Sequence, residues 1–174
     1  MNWTDLLNAR VAEVYGATAG LMNMVEEKNL DWRPETGSNW MTMGQLLEHI
    51  PTASGHCMMG FVTGDWKIGG VDFADMAPED MLPSAEKLPT AKSVADAKKA
   101  LAVDKAIALD MIAKAGEKNL AEKMVAAPWN PTPLPMGVQL LSMVGHLDTH
   151  KAQLFYYLKL QGQPVHTGSL YGMG

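Results

Sequence analysis

A single cysteine, Cys57, stands in 174 residues, which excludes an internal disulfide and fits a reducing compartment. No stretch approaches the roughly 20 uninterrupted apolar residues of a membrane-crossing helix. The opening MNWTDLLNAR also lacks a basic segment followed by an apolar run. No membrane partner is expected, and the expected location is cytoplasmic. Positive charge is sparse: 14 Lys and Arg against 19 Asp and Glu give a formal net charge of -5, and the lysines are scattered. Without a basic stripe to follow a phosphate backbone, nucleic acid is not an expected partner. A convincing strand-like alternation is missing, as are internal repeats and low-complexity tracts.

What is present suits one globular domain over residues 1–174, with 47% hydrophobic and 19% charged residues. The 14 methionines read as fillers of core gaps. Four helical segments predict an all-α fold, a four-helix bundle. Thr4 is the expected cap of the first, whose apolar positions are Leu7, Val11, Val14, Leu21 and Val25. The second opens on TMGQ, a capping box of Thr42 and Gln45, and carries Pro51 in its interior, where a missing N–H should bend it near His49. Gly, Pro and Asp recur from Thr63 to Lys92, a connection too long for a simple turn and expected as a crossover or a flap over one end of the bundle. Ser93 with Asp96 starts the third helix, with Gly116 as its expected end. The proline-rich PWNPTPLPMG cannot be helical, and the fourth helix is expected from Pro135 to Gly162, followed by a loose or draped tail.

The chemistry lies in the histidines. On the fourth helix the stripe Met143, Leu147, His150, Leu154, Tyr157 faces inward, and His146 precedes His150 by one turn, so two imidazoles sit where one metal ion can bridge them. The second helix has a similar stripe in Leu46, His49, Ala53, His56 and Gly60, where the small residues Ala53 and Gly60 leave room for a substrate pocket that Tyr157 would help to line. Imidazoles buried without partners cost a few kcal/mol each, and a shared ion removes that cost, although a histidine bonded to a backbone carbonyl needs no metal. Three histidines without an inward carboxylate or thiolate suit zinc with an open fourth position, and nickel tolerates the same donors. His49 and His56 lie about 10 Å apart along a helix axis, so they cannot both bind the ion; spacing alone leaves the third ligand open. Gln45 and Gln153 are candidates to orient the imidazoles, with capping and helix-flank roles as the plain alternatives. Cys57 reads as a packing thiol, and Trp40 and Trp129 as loop anchors rather than substrate stackers.

Two passages, LDWRPETGSNWMTMGQLLEHIPTASGH and VGHLDTHKAQLFYYLKLQGQP, carry a resemblance to the DinB-like (DinB/YfiT) superfamily of metal-binding four-helix bundles over nearly the whole chain. In that family an aromatic-Arg-Pro turn precedes the start of helix two, whose histidine joins an H-x3-H pair on the last helix around a divalent metal. The resemblance thus implies His49, His146 and His150 as ligands and leaves His56 as a pocket wall or a candidate proton-transfer group, with a structural role as the equal alternative. Lys151 and Ala152 stand where many members have Arg and Gly. Members with known chemistry look like thiol-dependent transferases or isomerases. The implied cofactors are therefore a divalent ion, zinc or nickel, and a low-molecular-weight thiol, with the thiolate attacking a small electrophilic substrate. The alternatives are a metal-dependent hydrolase, or a non-catalytic metal-binding, stress-responsive bundle, in which the ion would stabilise the fold and a homodimer.

Overall fold

The computed structural model describes residues 2–68, 70–77, 80–81 and 83–173. Met1 and Gly174, the ends of the expected domain, and Gly69, Pro78, Glu79 and Leu82 of the 63–92 connection lie outside that description. The chain is mostly helical with two small strand pairs: α1 (Trp3–Met22), α2 (Met43–His49), α3 (Gly55–Thr63), β1 (Lys67–Ile68), β2 (Val71–Asp72), α4 (Val94–Glu122), β3 (Met124–Ala127), β4 (Asn130–Pro135), α5 (Met136–Leu160) and α6 (Thr167–Leu170). The helices α1, α4 and α5 pack on one another, and α3 packs on α4 and α5. Their shared core includes Leu7, Val11, Leu46, Leu47, Met58, Ile112, Leu140, Leu147 and Leu154, all fully buried. No described helix is long and apolar enough to cross a membrane.

Local chemistry sets the helix boundaries. The α1 cap is Asn2 rather than Thr4: Asn2 Oδ1 accepts from the Asp5 N–H at 2.8 Å. Thr4 lies inside the first turn, where the Trp3 and Thr4 N–H groups donate to the Glu117 carboxylate at 2.9 and 3.0 Å. At α2 the capping box forms as written, with the Gln45 N–H on Thr42 Oγ1 and the Thr42 N–H on Gln45 Oε1. The expected second helix then divides. Pro51 cannot donate, and a 3-10 turn over Ile50–Thr52 separates α2 from α3, so the bend is a break rather than a kink.

Ser93 caps α4 through the Asp96 N–H at 3.0 Å, and Gly116 ends its first helical stretch, as expected. It takes φ 68° and ψ 157°, kinks the axis, and the helix resumes to Glu122, with Glu117 next to the kink holding the start of α1. The chain is all-α-like, as expected, with two small hairpins added. In β4, Pro131, Pro133 and Pro135 are tolerated because a two-stranded pair consists only of edges. The β1–β2 pair is only two residues a side, too short to produce a legible alternation. Of the two expectations for the tail, draped rather than loose describes it: α6 packs on α1 and α5.

Candidate metal centre

Three imidazoles converge where α2 meets α5. His49 closes α2, just before the break at Pro51, while His146 and His150 lie one turn apart on α5. The separation from His49 Nε2 to His150 Nε2 is 3.0 Å, and from His150 Nε2 to His146 Nε2 also 3.0 Å. One ligand nitrogen from each ring falls within 4.8 Å of the others. Nitrogens bound to one zinc at roughly 2.0–2.1 Å in tetrahedral geometry stand about 3.3 Å apart, so the two 3.0 Å separations are within a few tenths of an ångström of those in a coordination shell. Among the described residues no other His, Cys, Asp or Glu joins the group.

The hydrogen bonds behind the rings decide where their protons sit. His146 Nδ1 lies 3.0 Å from the carbonyl oxygen of Ala53, which can only accept, so Nδ1 carries the proton. His150 Nδ1 donates to Gln153 Oε1 at 3.1 Å; Gln153 Nε2 donates to the Tyr157 hydroxyl at 3.2 Å, which donates to the Met41 carbonyl at 2.9 Å. In a neutral imidazole with its proton on Nδ1, Nε2 is a bare acceptor. Two such acceptors at 3.0 Å repel unless a cation lies between them. The rings are neutral at ordinary pH because burial pushes all three down, His49 to about 4, with the neighbouring imidazoles adding to the effect at His49 and His150. Neutral imidazoles are the form a metal binds.

A cavity of about 560 Å³ opens beside the three rings. Its walls come from the segment between α3 and α4, which lies over the histidines, and from Met41, Gln45, Thr52, Cys57 and Trp129. This arrangement corrects the expected pocket. At Gly60 a Cβ would stand 2.2 Å from the indole of Trp66, so the gap is already filled by that ring. Ala53 is buried and contributes its carbonyl to His146, and Tyr157 is bound within the chain that ends on Met41; neither lines the cavity.

Gln153 lies where an imidazole-orienting group belongs, but Gln45 does not: its Nε2 donates to the carbonyls of Ala85 and Leu88 at 2.7 and 3.0 Å and so pins the loop over the cavity. Cys57 borders the cavity, and its thiol, donating to the Thr52 carbonyl, is pushed up to about 12 by burial; it stays protonated and is no nucleophile. His56 does not line the cavity. Its Nδ1 sits 2.6 Å from Asp104 Oδ1, and Asp104, fully buried on α4, also accepts from the backbone N–H groups of Gly55 and His56 and from the Tyr15 hydroxyl. The carboxylate therefore caps α3 from a neighbouring helix, and hydrogen bonding to it raises the His56 pKa. The sequence carried a signal for this network: Asp104 follows Leu101 by three and precedes Ala108 by four on an otherwise apolar stripe.

The sequence model of the DinB superfamily matches residues 10–154, well over half of the chain. No match was found among curated proteins or among solved structures.

Proposed function

The chain belongs to the DinB superfamily, and from that premise we propose that His49, His146 and His150 hold a divalent transition-metal ion, zinc or nickel, at the floor of a small-molecule site. The observation that carries this reading is the pair of Nδ1-protonated rings on α5, whose bare Nε2 atoms face each other at 3.0 Å with His49 Nε2 equally close to one of them. Neutral nitrogen donors suit either ion. Held by these three rings, such an ion would supply Lewis acidity that favours the thiolate form of a thiol at neutral pH.

The reaction class favoured is thiol transfer to a small electrophile, within a four-helix bundle whose 63–92 crossover roofs the site. The cavity supports catalysis over a purely structural ion, because a structural site is closed by four protein ligands and this cluster has three beside an open space. The chain's own residues prepare the site. Ala53 O and Gln153 fix the ring orientations, and Gln45 holds the roof at Ala85 and Leu88.

Elemental analysis of tag-free protein tests the metal. About one ion per chain is expected in wild type, and at least a roughly tenfold lower content in His150→Ala. Absence of metal from wild-type protein that has been offered zinc and nickel would overturn the proposal.

A further inference from the structure

We propose that the cavity beside the histidines selects an uncharged ligand with an apolar body and a single metal-seeking head, an alkyl or aryl thiol being the simplest example. This rests on the metal site proposed above and adds the chemical class that the site accepts. The walls include Met41, Ile68, Phe73, Met76, Leu88 and Trp129. Among the described lining residues, the histidines aside, the three uncharged polar side chains Gln45, Thr52 and Cys57 have already given their hydrogens to the protein. Both hydrogens of the Gln45 amide go to Ala85 O and Leu88 O, and its oxygen accepts from Thr42 N. The Thr52 hydroxyl donates to His49 O at 2.8 Å, and the Cys57 thiol to Thr52 O. A polar ligand body would surrender its hydrogen bonds to water and meet, among the described wall side chains, only the exposed Lys87 as a further donor, a loss that an apolar body does not incur.

Charge points the same way. The ionised lining residues Glu48, Asp80 and Lys87 are exposed, two acidic against one basic, on a chain of formal net charge -5. Among the described lining residues no cluster of cations awaits a carboxylate or phosphate, so an acidic peptide thiol or a phosphorylated thiol is disfavoured. A volume of about 560 Å³ admits a body of drug-fragment to small-drug size, with one end able to reach the Nε2 atoms of His146 and His150.

The test uses the full chain loaded with cobalt(II), whose visible spectrum reports the metal and whose thiolate charge-transfer band reports a bound thiol. Butanethiol and hexanethiol are titrated beside 2-mercaptoethanol and glutathione. Affinity is expected to rise about fourfold per added methylene, near 15-fold from butanethiol to hexanethiol, with glutathione weakest. Val71→Asp, at an exposed position on the cavity wall, should cut hexanethiol affinity several-fold while the cobalt spectrum persists. Failure to bind cobalt would refute the metal site itself. Cobalt binding combined with affinities independent of chain length, or with glutathione strongest, would refute the apolar selection alone.

Discussion

At the scale of single residues, the centre is a problem of where protons sit. His49, His146 and His150 are all held below the ordinary histidine value in the folded chain, so the unfolded chain binds protons that the folded one refuses. Stability of the metal-free protein should therefore be fully present above about pH 6.5 and fall as pH drops from there toward 4. His49 alone, pushed down to about 4, accounts for roughly 3 kcal/mol over that window, and urea titrations at pH 7.5 and 4.5 read it out. Bound zinc should leave over the same window. Gln153→Leu removes the acceptor of the His150 Nδ1 proton, and zinc affinity measured by competition with a chelator should weaken about 10- to 100-fold. An unchanged affinity would show that the glutamine merely flanks the helix. Of these details the histidine spacing was legible, because period and residue type suffice for it. The part taken by Ala53 was not, since a backbone carbonyl released by a helix break has no sequence signature of its own.

Elements supply the precision. α2 ends at His49, two residues before Pro51, and the turn that follows brings the carbonyl of Ala53 toward α5. From the other side Asp104 locks the start of α3, and Gly55 is required there: an added Cβ would lie 2.1 Å from the Asp104 carbonyl oxygen. Asp104→Ala leaves the Gly55 and His56 N–H groups and the Tyr15 hydroxyl without their acceptor, and should cost about 3 kcal/mol, a fall in Tm of roughly 10 °C. His56 has the opposite sign to the metal-site histidines. Its folded value is raised by Asp104, so its contribution is full below about pH 6.5 and is lost as pH rises through that raised value. That limb of the thermal-melt profile should vanish in Asp104→Ala. Proline gave away the break in advance, whereas the partner that seals it comes from 48 residues downstream of His56, a distance that local pattern does not bridge.

Across the whole molecule, the proposed ion ties α2 to α5, elements that lie a hundred residues apart in the chain. Binding only the folded state, zinc at 100 times its Kd should add about 2.7 kcal/mol to wild type, and chelation should remove it. A His49→Ala variant should show little of that gain in a thermal melt. The helical class was readable because apolar stripes recur at helical spacing and because Thr42 with Gln45 and Ser93 with Asp96 are start signals that need only local chemistry. The cavity was not readable, because its roof is an irregular segment whose place is fixed by Gln45 and by buried Ile68, Met81 and Ala85 rather than by any periodicity. For the same reason Trp66, and not empty space, lies over Gly60. The most direct measurement is X-ray absorption at the zinc edge of the stoichiometrically loaded protein. Three imidazole nitrogens and one further light atom at about 2.0–2.1 Å are expected; a shell of oxygen donors alone, with no imidazole scattering, would contradict the three-histidine centre.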